Sequence, residues 1–266
     1  MNNSAIEGKN PAKKTLLYRW DDLVLSFSNV AKQLRPHYHG AAELIIGYEN
    51  DVLCRLDEGQ PISAPSILIP PGVTHENEYQ DELSVTIYFD SDSSYFHRLS
   101  NEMVQVADVF TPLADIRRWQ ESVRWIYENK PELDTCRDQL NAALKKETEI
   151  SDGKIDVRIQ AVLNDLRQNP ANNEPVRYFA SKVGLSEDRL HHLFTDEMGL
   201  PLHRYRVWLR LKRASQLYFS GHDLTYAAHD AGFSDGAHFS RTFKRMYGAS
   251  PKETLSARRE QSYFFS

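Results

Sequence analysis

Four side chains of the types that bind divalent metals lie in two short segments. The segment HYHGAAE contains His37, His39 and Glu43, and the segment IPPGVTH ends at His75. On an extended strand, residues two apart point to the same side, so the imidazoles of His37 and His39 would face one site. Three imidazoles and one carboxylate suit Zn, Fe, Ni or Mn, and the residue types do not choose among these ions. These residue types could bind a divalent ion if the fold brings the two segments together.

The sequence around these segments is typical of short β-strands. Between Tyr18 and Phe89, apolar runs alternate with turn residues, as in LVLSFSNV, AELIIGY, VLCRL, SILIP and LSVTIYF. Regularly spaced strands of this kind predict a β-sandwich or a β-barrel. Gly40 allows the chain to bend between His39 and Glu43. We therefore expect an N-terminal β-domain that brings the two segments together.

A different chemistry is indicated near the C-terminus, in AHDAGFSDGAHFSRTFKRMYGASP, residues 228–251. Gly232 supplies a turn between two short helices, and Phe239 and Phe243, four apart, form the buried face of the second helix. The remaining surface of that helix carries the cations Arg241, Lys244 and Arg245. A basic helix that follows a tight turn is typical of a DNA-binding helix-turn-helix.

The same pattern occurs once earlier, in ASKVGLSEDRLHHLFTDEMGLP, residues 180–201. Gly184 and Gly232 are 48 residues apart, as are the serines that follow them, whereas the later phenylalanines and glycines are 49 apart. The one-residue difference falls in the turn, where an insertion costs least. Two helix-turn-helix units are therefore expected, with a core that includes Leu190, Phe194, Trp208, Phe239 and Phe243.

The segment GFSDGAHFSRTFKRMYGASP resembles the signature of the AraC/XylS family of bacterial transcription regulators. The preceding RLKRASQLYFSGHDLTYAAHDAG resembles that family's linking helix and the start of its second motif, so the resemblance covers roughly residues 155–255. It implies helix-turn-helix motifs at about residues 176–197 and 224–247, which read double-stranded promoter DNA. The candidate DNA-binding residues are Ser186, Asp188, Arg189, His191, His192, Thr225, Ser234, Ala237, His238, Ser240, Arg241, Lys244 and Arg245.

Arg241 is the strongest candidate for base recognition, because a guanidinium can bond both acceptors of guanine. A phosphate contact is the alternative, and it would add affinity without choosing a sequence. We expect Ser186 to cap the first recognition helix, Ser234 and Asp235 to offer capping oxygens to the second, and Thr225 to cap the helix before the second turn. The DNA phosphates repel the Asp188 carboxylate, although that carboxylate can accept a hydrogen bond from the amino group of cytosine. We therefore expect the second motif to supply more of the affinity for DNA.

The metal-type residues resemble the two motifs of the cupin barrel, His-x-His-x3-Glu and Pro-x-Gly-x2-His. In metal-binding cupins the matching side chains, here His37, His39, Glu43 and His75, hold one divalent ion. AraC-type sensor domains with this likeness also include ones that bind an organic effector without metal. A bound metal, an organic effector pocket and a purely structural barrel interior all remain open.

Between the two halves, residues 111–153 have no strand pattern. Two amphipathic helices are predicted, with apolar stripes through Leu113, Val123, Cys136 and Leu140. These stripes can pack on the barrel or on a second chain, and the resemblance favours a homodimer. Residues 148–156 have the composition of a linker.

The chain has 266 residues and a formal net charge of −5, which is divided unevenly. Residues 154–266 contain 17 Lys and Arg against 12 Asp and Glu, whereas residues 1–153 contain 15 against 25. A basic half suits a nucleic-acid reader joined to a domain that does not touch nucleic acid. The polar N-terminus lacks a signal-peptide core and no apolar run is long enough for a membrane span, so we expect a cytoplasmic protein without a membrane partner. Cys54 and Cys136 lack metal-type spacing and are expected as small buried residues.

The sequence thus predicts an α+β protein with two domains. Residues 1–110 form a cupin-like β-barrel sensor, residues 111–153 a helical dimerisation and linker region, and residues 154–266 an all-α AraC-type DNA-binding domain. The expected function is sequence-specific transcription regulation, more often activation in this family, controlled by a small effector or a metal and involving RNA polymerase. The alternative is a metal-dependent cupin enzyme with an accessory DNA-binding domain. We expect no enzymatic activity, because a β-barrel fused to a DNA-binding domain is explained more simply as a sensor.

Overall fold

The structure is a computed structural model that describes residues 16–28, 34–57, 59–79, 83–113, 115–144, 155–255 and 262–265. A β-rich N-terminal region is followed by helices, and the C-terminal region is helical. Most of the predicted linker, residues 148–156, lies outside the described residues. Across the described chain, no helix combines the length and the apolar character needed to cross a bilayer.

The N-terminal region contains ten strands and three helices. The strands are β1 Leu16–Arg19, β2 Leu23–Ser28, β3 Ala42–Ile46, β4 Val52–Leu56, β5 Ile62–Ala64, β6 Ser66–Ile69, β7 His75–Tyr79, β8 Ser84–Phe89, β9 Val104–Val106 and β10 Val109–Thr111. The helices are α1 Ser94–Glu102, α2 Ile116–Asn129 and α3 Leu133–Ala143.

The C-terminal region contains seven helices and a final strand. These are α4 Val157–Gln168, α5 Val176–Lys182, α6 Glu187–Met198, α7 Leu202–Phe219, α8 Leu224–Asp230, α9 Gly236–Tyr247, α10 Pro251–Leu255 and β11 Ser262–Phe265.

The strands form two sheets. The larger has the order β11-β1-β2-β8-β3-β6-β10-β9, and the smaller has the order β5-β4-β7. Each predicted apolar run coincides with a strand, which confirms the β-rich N-terminal region. Within the described part of the chain, however, strand pairing does not close the sheets into one barrel. An isolated bridge between His37 and His75 links the smaller sheet to the segment before β3.

One face of the larger sheet packs against α2 and α3. Tyr18 and Phe27 of the sheet share a hydrophobic core with Val123 of α2 and Leu140 of α3. The Tyr18 hydroxyl also donates to the carbonyl of Pro131, between the two helices, at 2.9 Å. The apolar stripes predicted for this region are therefore covered by the sheet of the same chain. Cys54 and Cys136 are buried free cysteines, as predicted.

Four of the C-terminal helices form two pairs, α5 with α6 and α8 with α9, and a short turn joins the helices of each pair. In α5 and α6 the turn contains Gly184 at φ 68°, and in α8 and α9 it contains Gly232 at φ 88°. These positive φ values explain why both turns carry glycine. The turn of the second pair is one residue longer, in agreement with the shift between the two repeats. The 18-residue helix α7 connects the pairs, and the predicted core residues Leu190, Phe194, Trp208, Phe239 and Phe243 are all buried.

The N-terminal and C-terminal regions meet where α7 approaches Gly40. A Cβ added at residue 40 would lie 2.3 Å from Cβ of Trp208, closer than two non-bonded carbon atoms can approach. The bend at Gly40 was predicted, but its main role here is to leave room for this tryptophan. The close contact fixes the position of α7 on the sheet.

We predict that Gly40→Ala lowers the free energy of unfolding by about 1–3 kcal/mol, because α7 must move away to accommodate the methyl group. Urea denaturation followed by circular dichroism measures this change. Gly236→Ala is the matched control, since a Cβ there meets nothing within 4 Å, and a change below about 0.5 kcal/mol is expected. Equal stability of Gly40→Ala and the wild type would contradict the proposed constraint.

Candidate functional site

The helices that carry the predicted DNA contacts begin at well-formed caps. Before α6, the Ser186 hydroxyl accepts from the amide of Arg189 at 3.2 Å, as predicted. Before α9, the accepting group is the carboxylate of Asp235, which the amide of His238 reaches at 2.7 Å. Of the two candidate caps, Asp235 occupies the cap position because of the extra turn residue, and Ser234 does not cap α9; its hydroxyl donates to the Asp235 carboxylate.

The cap of α8 also differs from the expected one. The Asp223 carboxylate accepts from the amide of Tyr226 at 2.9 Å, so Thr225 lies inside the first turn of the helix. Asp is as good a cap as Thr, and the sequence offered both within three residues. Thr225 is exposed at this helix end.

Almost all of the predicted DNA-contacting side chains are on the surface. His191 and His238 are half-buried, and the others are exposed: Ser186, Asp188, Arg189, His192, Thr225, Ser234, Ala237, Ser240, Arg241, Lys244 and Arg245. The apolar face of each helix is buried beneath them, at Leu190 and Phe194 in α6 and at Phe239 and Phe243 in α9. Both helices therefore present a polar face to solvent.

The two exposed faces differ in charge. The first turn of α6 carries Glu187 and Asp188, whereas the first turn of α9 carries no acidic side chain. The last turn of α9 adds the cations Lys244 and Arg245. Since the phosphate backbone is anionic, the surface of α9 is the more favourable of the two for DNA.

The four metal-type residues converge into one buried cluster. One ligand atom from each of His37, His39, Glu43 and His75 lies within 4.8 Å of the others, and every one of these side chains is buried. Glu43 is central, with its Oε2 at 2.9 Å from Nε2 of His75 and 3.3 Å from Nε2 of His39. The convergence that the cupin resemblance implied is therefore present in the structure.

Backbone contacts orient the imidazoles. Nδ1 of His37 lies 2.7 Å from the carbonyl of Arg35, and Nδ1 of His75 lies 2.9 Å from the carbonyl of Val73. Each carbonyl accepts from Nδ1, so Nε2 of neutral His37 carries no proton and is free to bind, whereas Nε2 of His75 faces the Glu43 carboxylate. His37 itself lies outside the strands, so this turn-like backbone contact, rather than strand alternation, aims its ring.

Several polar atoms of the cluster have no hydrogen-bond partner among the residues that the structure describes. They are Nε2 of His37, both ring nitrogens of His39 and Oε1 of Glu43. Burial lowers the pKa of His37 to about 3, with His39 and His75 adding to the effect, and burial also lowers the pKa of His39. Neutral imidazoles with free nitrogen atoms beside a carboxylate are the donor set that a divalent metal requires.

The cluster lies against the C-terminal helices. The ring of His39 is 5.5 Å from that of Tyr247, the last residue of α9, and 6.3 Å from that of Trp208 in α7. A Cβ added at Gly248, the residue that ends α9, would lie 3.0 Å from Nδ1 of His37. The C-terminal end of a candidate DNA-contacting helix therefore packs directly on the candidate metal site.

Comparisons with known proteins show a sequence similarity in the C-terminal region. The family described as a helix-turn-helix domain matches residues 179–257. RhaS, a transcriptional activator of Escherichia fergusonii, is 33% identical over 122 residues, which cover 45% of this chain and 44% of RhaS. The alignment thus spans less than half the length of this relative. The C-terminal region of the chain is therefore similar to the helix-turn-helix region of AraC-type transcription regulators.

The fold of the whole chain is similar to that of ToxT from Vibrio cholerae. An apo ToxT structure has a TM-score of 0.64 at 13% identity, covering 90% of this chain and 99% of ToxT. A ToxT structure with a bound unsaturated fatty acid has a TM-score of 0.59 at 10% identity, covering 89% and 95%. At these identities the likeness establishes the fold alone: a β-rich N-terminal domain followed by a helical C-terminal domain.

Ion pairs that the sequence pattern did not reveal join the AraC-type domain to the N-terminal domain. The guanidinium of Arg167 in α4 donates to both carboxylate oxygens of Asp92, at 2.8 and 2.6 Å. Lys212 in α7 donates to both oxygens of Asp90, at 3.1 and 2.9 Å. The acidic residues of the run DSDS after β8 were the only local signal, and an exposed loop would show the same run.

We predict a coupling energy of about 1–2 kcal/mol between Asp92 and Arg167 in a double-mutant cycle of Asp92→Asn and Arg167→Gln. The pair is bidentate and its carboxylate is mostly buried, so water screens it only partly. The exposed pair of Asp115 and Arg118 is the control, with a coupling below about 0.5 kcal/mol. Chemical denaturation of the single and double variants gives both values, and equal couplings would contradict a structural role for the interdomain pair.

Proposed function

We propose that this chain is a sequence-specific transcription regulator that binds promoter DNA in the cytoplasm and activates transcription there. The observation that carries this proposal is the pair of solvent-facing polar helices, α6 and α9, each held by a preceding helix and a glycine turn on the common helix α7. The match of residues 179–257 to a helix-turn-helix domain and the likeness to RhaS support it.

Both helix pairs act as helix-turn-helix motifs in this proposal. An α-helix fits the major groove, and two such helices enter successive grooves about 34 Å apart. Arg241 bonds guanine or a phosphate, and His192 occupies the equivalent position of α6. The remaining exposed candidates contact base edges or phosphates, with Lys244 and Arg245 as phosphate partners. The N-termini of α6 and α9 add the favourable end of the helix dipole.

The N-terminal domain is the sensor in this proposal, and its two sheets correspond to an incompletely closed cupin barrel. The His and Glu cluster holds one divalent ion, for which the free Nε2 of His37, both ring nitrogens of His39 and Oε1 of Glu43 are the observed support. When bound, the ion would hold the four side chains in one arrangement. An effector of another class is compatible with this site, since ToxT is known with a bound unsaturated fatty acid. The fusion to a DNA reader favours sensing over turnover.

A homodimer and contact with RNA polymerase complete the proposal. Because α2 and α3 bury their apolar stripes on the sheet of the same chain, a dimer requires another surface. Trp125 of α2 is 38% exposed and lies on the side of that helix away from the sheet. Light scattering of the wild type and Trp125→Glu tests this surface: a dimer that the substitution dissociates is expected, and a monomeric wild type would exclude it.

The proposed function is tested by selecting bound fragments from random double-stranded DNA with the full chain. Enrichment of one sequence with two recognised segments about one helical turn apart is expected. If no sequence is enriched and the DNA binds only at low salt, the binding is electrostatic and not sequence-specific. That result would contradict the proposal.

On the selected sequence, we predict that Arg241→Ala weakens binding by about 1–3 kcal/mol, roughly 5-fold to 150-fold. His192→Ala should cost less, because α6 begins with two carboxylates and contributes less affinity. Fluorescence anisotropy at fixed salt measures both. Arg55→Ala, which removes an exposed arginine from the N-terminal domain, controls for overall charge and should leave the affinity unchanged. A greater loss from His192→Ala would reverse the proposed ranking of the two helices.

We predict that protein purified without chelator contains close to one divalent ion per chain. The double variant His37→Ala and His39→Ala should lose the ion, whereas His229→Ala, which removes an exposed histidine of α8, should retain it. Inductively coupled plasma mass spectrometry identifies and counts the metal. Metal-free wild type after dialysis against Zn²⁺, Ni²⁺ and Mn²⁺ would assign the cluster to an organic pocket or to the interior of the domain.

A further inference from the structure

The first and the last described strands meet in one sheet. Strand β11 pairs in parallel with β1, so that Leu16 lies opposite Ser262 and Arg19 lies opposite Phe265. In the order of the larger sheet, β11 stands at the edge, next to β1. The chain that leaves α9 therefore returns to the N-terminal domain, where backbone hydrogen bonds hold it.

At the end of α9, the chain covers the segment that carries two of the metal-type histidines. Tyr247, the last residue of α9, packs on the ring of His39, and the next residue, Gly248, is buried. A Cβ added at Gly248 would lie 2.9 Å from the carbonyl oxygen of Arg35 and 3.0 Å from Nδ1 of His37. The chain thus touches both the backbone and the side chains of this segment.

The same cover continues beyond Gly248. Ala249 packs against the hydrophobic cluster that contains Leu34 and Val52, and Pro251, which begins α10, is buried. Together with the pairing of β11, these contacts hold the chain after α9 on the N-terminal domain. We call residues 247–255 together with β11 the strap.

The His and Glu cluster beneath the strap is closed to solvent. His37, Glu43 and His75 are each 1% exposed, and His39 is 3% exposed. With this burial, an ion reaches the ligand atoms only when a group that covers them moves aside. The question is then which cover moves most easily.

The covers that belong to the N-terminal domain and to α7 are firmly held. Glu43 lies in β3, which is paired with β6 on one side and with β8 on the other. His75 begins β7, which pairs with β4, and its backbone is also bridged to His37. Trp208 is wedged at Gly40. Moving these groups would break sheet pairing or the contact of α7 with the sheet.

The strap is held less firmly than these covers. Its contact with the cluster is made by the ring of Tyr247 and by the backbone at Gly248. Among the described strands, β11 pairs only with β1, so one short ladder fastens it. Elements with few backbone pairs open at lower free energy than the core of a sheet. The strap is therefore the cover that lifts first.

We propose that the strap is a gate for the His and Glu cluster. A divalent ion enters or leaves when residues 247–249 lift from residues 34–39, and the pairing of β11 with β1 keeps the gate closed. The inference rests on the proposed function, because that function assigns the cluster as the metal site. Since the strap continues from α9, lifting it moves the end of the helix that presents Arg241.

Diethyl pyrocarbonate, which modifies accessible imidazoles, tests the gate on full-length protein freed of metal by a chelator. Peptide mass spectrometry gives the rate of modification of each histidine. In the wild type, His37 and His39 should react about 10-fold more slowly than the exposed His192, or slower still. Gly248→Ala should raise the rates of His37 and His39 about 10-fold and leave His192 unchanged, because the added methyl group pushes the strap off Arg35.

Gly199→Ala is the matched control. Gly199 ends α6 at φ 72° and Gly248 ends α9 at φ 70°, so alanine strains the backbone equally at both positions. A Cβ at Gly199 would lie 3.6 Å from the carbonyl oxygen of Pro71, which is an ordinary contact. In this variant His37 and His39 should react as in the wild type.

A second variant opens the strap at β11. Proline has no amide proton, and adjacent residues of a strand direct their amides to opposite sides. The double variant Tyr263→Pro and Phe264→Pro therefore removes one amide from the pairing with β1. It should also raise the rates of His37 and His39, while an unchanged circular dichroism spectrum shows that the fold is kept.

Unchanged rates of His37 and His39 in Gly248→Ala, or equal acceleration by Gly199→Ala, would overturn the gate. Unchanged rates in the proline variant would overturn the role given to β11. Release of bound Zn²⁺ to a chelator should be about 10-fold faster in Gly248→Ala than in the wild type. Equal release rates would reject the gate while the metal site stands. A wild type that binds no Zn²⁺ would reject the metal site of the proposed function, and the histidine rates would still decide whether the strap opens.

Discussion

The close approach of α7 to the N-terminal sheet is the constraint on which the rest of the structure depends. Trp208 occupies space that is free only because residue 40 has no Cβ. The same junction brings Gly72 against Leu200, where an added Cβ would lie 3.2 Å from that of the leucine. Arg167 and Lys212 then pair with the acidic loop after β8. A steric fit and a set of ion pairs thus fix how the two domains sit together.

This junction gives the candidate sites a physical connection to the DNA-binding surface. Helix α9 presents Arg241 to solvent near its middle and packs Tyr247, at its end, on the ring of His39. Tyr247 also lines a cavity of about 190 Å³ between the two domains. A ligand that binds one arrangement of these groups better than another must shift the position of α9 toward that arrangement. In the proposed function, DNA contact near the middle of α9 and packing on the candidate sensor site at its C-terminal end therefore belong to one helix.

The sequence predicted the elements whose signals are local. The repeated glycine turns, the buried phenylalanines of α9 and the apolar β-strands all follow from spacing within about twenty residues. The convergence of His37 and Glu43 with His75 was also predicted, because the motif on each segment carried its own signal. The sequence left two candidate caps for α9, because Ser234 and Asp235 are equally good caps and only the length of the turn decides between them. The pairing of Arg167 with Asp92 depends on how distant segments pack, and no local pattern encodes that.

In the proposed function, the binding of a ligand at the N-terminal site changes the affinity of the protein for DNA. The most direct test is the dissociation constant for the selected DNA, measured with metal-free protein and with protein loaded with one divalent ion. We expect the dissociation constant for DNA to differ several-fold between the two states. By thermodynamic reciprocity, the affinity for the metal must change by the same factor when DNA is bound. Equal DNA affinity in both states, with the metal shown to be bound to the cluster of His37, His39, Glu43 and His75, would contradict the claim.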